Sequence, residues 1–226
     1  SLDGALAGVE TMYLFPPPGS AVGVLQRAVR AGVHRVVTLS SSSAADQRPG
    51  TENAIGRKHL EVEHAVEESG LAWTHVRPGA FAGNTISQWA ESIKHEQLVR
   101  MPYPQAAKAS AHNGDIAAVA AAALLDERHV GARYALTGPQ SLTQAQEVAA
   151  IGEALGTEIR IEELSRDRAR AEMTRWMPEF VADTLLDYLA EALDTPATVT
   201  TKVAEVLGRP ARSFAQWARE NVGSFR

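Results

Sequence analysis

Three runs rich in aliphatic, aromatic and β-branched residues stand in the first part of the chain: Thr11–Phe15, Arg35–Leu39 and Leu71–Val76. Each ends in small, polar or turn-forming residues, as strands buried on both faces of a sheet do. Between them the hydrophobic period becomes helical. Leu2, Ala5, Leu6 and Val9 predict the tail of a helix over Ser1–Gly8, so the chain opens mid-helix, and this leads to the expectation of a further portion upstream. Ser20 can cap a helix carrying Val22, Leu25 and Val29, closed by Gly32. After a polar loop from Ser40 to Asn53, a helix over Ala54–Ser69 places Ile55, His59, Val62 and Val66 in a narrow arc. Strand–helix alternation of this kind predicts an α/β fold with a Rossmann-like, doubly wound parallel sheet and right-handed crossovers.

Beyond Arg77 the pattern loosens through Pro102 and Pro104. Asp115 can cap a helix carrying Ile116, Val119, Ala123 and Leu124, and Arg133–Leu136 reads as a short strand. Thr143 with Gln146 makes a capping-box signature for a helix ending at Gly156, and Glu158–Ile161 reads as another strand. Segments beginning near Ser165, Pro178, Thr200 and Ser213 are helical, with Met173, Trp176, Phe180, Leu185, Leu189, Val203, Leu207, Phe214 and Trp217 as their packing residues. The division expected is residues 1–139 for the Rossmann-like part and 140–226 for a smaller, mostly helical lobe on the substrate side.

Composition narrows the function classes. The 226 residues carry 22 Lys+Arg against 27 Asp+Glu, a net charge of −5 without a basic stripe, so nucleic-acid binding has no electrostatic footprint. There is no cysteine. With no disulfide to form, no membrane-spanning run and no leader pattern, a cytoplasmic location is expected. The seven histidines are scattered, with no HExxH and no close His/carboxylate triad, so no metal site is expected. A GxSxG elbow is absent too, which removes the serine-hydrolase class.

In an open α/β sheet, ligands sit beyond the carboxyl ends of the strands. Three strand ends therefore propose one site. Phe15 leads into Pro16, Pro17 and Pro18, which lack backbone donors and hold the chain extended; they suit the face of a flat ring, or merely end a strand. Ser40, Ser41, Ser42 and Ser43 offer hydroxyls and N–H groups for a ribose or carbonyl oxygen, or form an ordinary polar loop. Arg77, Pro78, Gly79, Ala80 and Phe81 turn sharply after the third strand, where Arg77 faces the ligand or pairs with a neighbouring carboxylate. His59, in the middle of an apolar stripe, is either a satisfied core histidine or a proton carrier facing the crevice, with Glu63 one turn on to orient it. Lys58 lies on the flank of that stripe and turns inward or stays solvated.

The order of PPP, AGVHRVV, SSSS, GRKHLEVEHAVEESG, WTHVRPGAFAGN and GDIAAVAAAAL resembles the NmrA-like branch of atypical short-chain dehydrogenases, which includes NAD(P)H quinone oxidoreductases and dinucleotide-sensing regulators. The resemblance covers essentially the whole chain. It implies that Phe15, Pro16 and Pro17 lie beside the cofactor riboses and Ser40, Ser41 and Ser42 beside the nicotinamide. It further implies that His59 contacts ribose or substrate, that Arg77 to Phe81 pass the nicotinamide ring, and that Asn84 closes the substrate side. The cofactor implied is NADP or NAD, with NADPH favoured. A small-molecule substrate is the expected partner, with no membrane, and a homodimer is compatible with the reading.

Two departures qualify what the resemblance implies. Ala54, not Tyr, stands four residues before Lys58, so the Tyr–Lys mechanism of ordinary short-chain dehydrogenases is excluded. Nor does the sequence contain the glycine-rich phosphate turn, so the usual grip on a pyrophosphate is not expected from these residues. Three readings follow. The first is an NAD(P)H-dependent oxidoreductase passing hydride to a small quinone, enone or carbonyl acceptor, with His59 and Lys58 as the candidate catalytic side chains. The others are a non-catalytic NAD(P)(H) sensor and a portion that binds no dinucleotide by itself.

Overall fold

The structure is a computed structural model that describes residues 1–17, 19–45 and 53–226; Pro18 and residues 46–52 of the expected polar loop lie outside the described residues. In chain order the elements are α1 (Leu2–Leu6), β1 (Thr11–Leu14), α2 (Ala21–Ala31), β2 (Arg35–Leu39), α3 (Ala54–Glu68), β3 (Ala72–Pro78), α4 (Asn84–Glu96), β4 (Leu98–Met101) and β5 (Ala107–Lys108). They continue as α5 (Asn113–Leu125), β6 (Arg133–Leu136), β7 (Leu142–Thr143), α6 (Gln144–Leu155), β8 (Arg160–Glu163), α7 (Arg166–Met173), α8 (Glu179–Glu191), α9 (Lys202–Leu207) and α10 (Phe214–Glu220). These fall into two compact units. The first takes Ser1–Gly79, Ile116–Leu136 and Lys202–Arg209; the second takes Ala80–Asp115, Thr137–Thr201 and Pro210–Arg226.

The first unit holds a sheet of order β1-β2-β3-β6, with every neighbouring pair parallel. Register pairs Leu14 with Thr38, Leu39 with Val76 and Pro78 with Leu136, so the carboxyl ends of the strands share one edge. Side chains alternate between faces along each strand. Val36 and Trp73 accordingly join Leu25, Val66 and Leu71 in a core between the sheet and helices α2 and α3. Gly32 closes α2 in the left-handed region at φ 89°, as its place after the last periodic residue predicts.

The apolar face expected of α2 is displaced. Ala21, Leu25 and Ala28 are buried, whereas Val22 and Val29 are exposed. Small alanines let the helix lie close to the sheet, and that turns the valines outward. Ser20 stands at the N-cap position, yet its hydroxyl donates to the Pro17 carbonyl, 2.7 Å away, rather than capping the helix.

The second unit contains two small ladders, β4 parallel to β8 and β5 antiparallel to β7. Its core gathers Trp89 and Ile93 of α4, Val148 and Ile151 of α6, Phe214 and Trp217 of α10, and Phe225. Helix α4 occupies part of the stretch where the sequence pattern was loose. The capping box of α6 forms as expected, and Gly156 ends that helix at φ 73°. Three expectations are corrected: α5 starts at Asn113, so Asp115 lies in its first turn and accepts from the Arg212 N–H at 2.7 Å; the Glu158–Ile161 strand moves to Arg160–Glu163; and Trp176 and Phe180 are exposed, not packed. No helix among the described residues is long and apolar enough to cross a membrane.

Candidate active site

The shared strand edge of the first unit carries most of the candidate residues. After β1, Phe15 is 66% exposed and Pro16 is half-buried. Together with Leu39 at the end of β2, and Lys58, His59 and Val62 of α3, they line a cavity of about 410 Å³. That volume is within the range of small-ligand pockets, roughly 300–1,000 Å³. His59 is neither sealed in hydrocarbon nor fully exposed. It lies half-buried in the cavity wall, beside a freely presented aromatic ring and a lysine. Burial pushes its imidazole below the ordinary value, while the Glu63 carboxylate pulls it back up.

The serine run ties the end of β2 to β3 and α3. Ser40 is buried, and its N–H donates to the Val76 carbonyl at 2.7 Å. Ser41 and Ser42 are half-buried; the Ser41 and Ser43 hydroxyls share a hydrogen bond of 2.8 Å. Asn53 caps α3 by accepting from the Gly56 N–H at 2.8 Å, and its amide reaches the Ser43 carbonyl at 3.4 Å. A Cβ on Gly56 would stand 2.3 Å from that same carbonyl oxygen. Gly56→Ala must therefore push the serine turn away from the helix. We expect a loss of about 1–3 kcal/mol, the usual cost of overpacking, measured by urea unfolding.

Arg77 takes the alternative in which it pairs with a carboxylate. Its Nε donates to Glu63 Oε1 at 2.8 Å and its second nitrogen to Glu63 Oε2, a bidentate clasp. Glu63 is 1% exposed and does not serve simply as an orienter of His59. Burial raises its carboxyl, but Arg77, the Ser40 hydroxyl and His75 outweigh that and hold it below the usual carboxylate range. Pro78 is buried, and the Gly79 N–H donates to the Leu136 carbonyl at 3.0 Å. The position of a Gly79 Cβ is 3.7 Å from the Ser42 hydroxyl, so the two strand ends are neighbours. Pro17, fully at the surface, does not line the cavity.

Phe81 and Asn84 belong to the second unit. Phe81 bridges to Ala111, and exposed Asn84 opens α4, with Gly83 before it donating to the Asn113 side chain at 2.9 Å.

Sequence reasoning missed the polar cluster behind this edge. His75 is completely buried, stacked on Trp73 at 4.5 Å, with Nε2 3.1 Å from Glu67 Oε1. Arg133 lies over the other partner, 4.5 Å from the Trp73 ring centre, and pairs with Glu67 at 2.5 Å. Glu63, Glu67 and His75 bring ligand-type atoms within 4.8 Å of one another, but both carboxylates are already matched to arginines. A period-2 reading of Trp73, His75 and Arg77 would have put all three on one face.

Burial holds the His75 imidazole below its ordinary value, and its Nδ1 has no hydrogen-bond partner, so the proton belongs on Nε2. The unfolded state therefore binds a proton before the folded one does. Stability attributable to His75 is complete above the unfolded value, near 6.5, and is lost as pH falls below it. The same direction holds for His59. We expect the melting temperature to drop between pH 7 and 5, and His75→Phe, which keeps the ring on Trp73, to flatten that slope.

Comparisons with known proteins bear on the fold and the family. The profile of a family described as NAD(P)H-binding matches residues 5–127. Over its whole length the chain is 37% identical to (4-alkanoyl-5-oxo-2,5-dihydrofuran-3-yl)methyl phosphate reductase of Streptomyces griseus, covering 80% of that protein. It is 34% identical to the NAD(P)H azoreductase of Xenophilus azovorans, again over its whole length and 80% of the relative. Among solved structures, the NADPH-dependent quinone oxidoreductase QOR2 of Escherichia coli matches with TM-score 0.77 at 25% identity, covering 97% of this chain and 78% of that one. The chain belongs to the NAD(P)H-binding family, with NAD(P)H-using reductases among its relatives.

Proposed function

We propose that the protein reduces a small quinone, enone, carbonyl or azo compound with NAD(P)H, and that the strand-end cavity of the first unit takes part in the reaction. The observation that carries this is the joint placement of Phe15, Pro16, Lys58 and His59 around one cavity at the carboxyl edge of a parallel sheet. An exposed aromatic ring and a proline suit a flat heterocycle or ribose. The residues present thus fit the ring-and-ribose end of a dinucleotide. When bound, NAD(P)H supplies the hydride.

The chain's own contribution is position and a proton. Reduction of a quinone, carbonyl or azo group consumes one proton with each hydride, and His59 is the proton carrier in the cavity wall. Its lowered basicity makes the imidazolium a stronger acid than an exposed histidine. Lys58 brings positive charge to the same wall and steadies an oxyanion or a phosphate. The absence of cysteine fits a reducing cytoplasmic setting.

The test is NADPH and NADH oxidation by the chain with a panel of quinones, enones and azo dyes. His59→Gln is expected to lower kcat about 10²-fold, the low end for a lost general acid, with a smaller change in KM. Because the protonated form is required, wild-type kcat should rise as pH falls through the His59 titration, below 6.5. Nucleotide binding by calorimetry without turnover on any acceptor would overturn the enzyme reading and favour a dinucleotide sensor, which Ala54 in place of Tyr permits.

A further inference from the structure

The cavity wall and the buried ion pair behind it share one helix. His59 and Glu63 are four residues apart on α3, so their side chains lie on the same face, one turn from each other. Glu63 is also the residue that clasps Arg77 with both carboxylate oxygens, at the carboxyl end of β3. One carboxylate therefore faces the imidazole along the helix and the guanidinium across to the strand. We propose that the Glu63–Arg77 pair is a positioning device for His59: it fixes the helix turn that presents the imidazole and supplies the negative charge that keeps it able to take up a proton.

Three facts separate this from a pair that only fastens helix to strand. Both oxygens of Glu63 are held by one rigid fork, so the charge is fixed in place and does not swing to solvent. Glu63 is 1% exposed, so its field is little screened by salt. Its effect is also felt at the imidazole, where it opposes the burial that would otherwise leave His59 a still weaker base.

Among the described residues, few other charges line the cavity around His59. Lys58 and Glu61 of α3 line the same cavity, while the β1 turn, α2 and β2 contribute no ionisable group to its lining. From β3, His75 and Arg77 face Glu63. Glu63 is the charge felt at the imidazole, where it works against the larger effect of burial. Arg77 is the group that keeps Glu63 ionised.

This inference rests on the reading of His59 as proton donor, but its first readout needs neither nucleotide nor substrate. His59 is titrated by NMR in the full chain, wild type and Glu63→Gln, the amide keeping the shape and losing the charge. The expected result is a midpoint lower by about half a pH unit or more, since a nearby opposite charge moves such groups by that order. The fall of kcat with rising pH should move to lower pH by the same interval, with KM little changed, and Glu63→Asp should restore part of both. If Glu63→Gln does not fold, the doubly apolar Glu63→Leu/Arg77→Met protein carries the same titration. A midpoint that stays within about 0.2 unit of wild type, or rises, overturns the proposal. If the midpoint falls while no variant and no wild type turns over any acceptor, the coupling stands and the reductase reading fails.

Discussion

Replacing Arg77 by Met is expected to destabilise the first unit by about 3–5 kcal/mol, the cost of leaving a buried charge without its partner. The magnitude follows from the asymmetry of the site. Arg77 keeps 12% of its side chain exposed and could be accommodated as an apolar residue, but Glu63 keeps 1% and has no route to water. The abandoned carboxylate must either ionise in low dielectric or take up a proton. Its titration, now held below the usual range, should then rise above it. Urea unfolding of the single variant, of Glu63→Leu and of the double variant completes a thermodynamic cycle. The double replacement should recover most of the loss, because two well-packed apolar side chains need no partner. A single variant within 1 kcal/mol of wild type would mean that Glu63 finds other donors.

A second loss of about 3–5 kcal/mol is expected from Lys108→Met, in the second unit. Lys108 Nζ lies 2.9 Å from Glu147 Oε2 and 5.1 Å from the centre of the Trp89 ring. Glu147 is fully buried in the first turn of α6, and beyond this ion pair neither of its oxygens has a hydrogen-bond partner. Methionine would keep the contact with Trp89 and remove the cation that pairs with the carboxylate. Glu147→Gln should cost less, since the remaining lysine has a stem long enough to move its charge outward. The order of the two single variants, lysine removal worse than glutamate removal, is the discriminating measurement.

Much of the architecture was legible because its signals are local. Thr143 and Gln146 make each other's hydrogen bonds within one turn, and Gly32 and Gly156 stand where a left-handed residue ends a helix, so these boundaries need no tertiary knowledge. Helix α4 escaped because Ile86, Trp89 and Ile93 are separated by polar residues, its N-cap is Gly83, and Pro102 and Pro104 follow shortly after. In α2 the period was right and the phase was not: alanines, weak hydrophobic markers, face the sheet, and the more conspicuous valines do not.

The candidate site was legible to a similar depth. Phe15, Pro16, Lys58 and His59 could be grouped from strand ends and helix period alone. The pairing of Glu63 with Arg77 was not readable, because it depends on the register of α3 against β3, which no short window contains. Gly56 was a quiet clue: a glycine in the first turn of a helix carries a propensity cost, and the closeness of the Ser43 carbonyl explains it.

Strand β6 completes the order of the sheet, yet the residues that follow β3 in the chain, Ala80–Asp115, are spent on the other unit. During synthesis β1, β2 and β3 must therefore wait beside an unfilled ladder position until residue 136 has been made, and α9, which packs on β6, comes later still. Pairings that close such long loops form slowly. A stop or proteolytic nick as late as residue 201 would consequently remove part of the sheet-bearing unit, and not a dispensable tail.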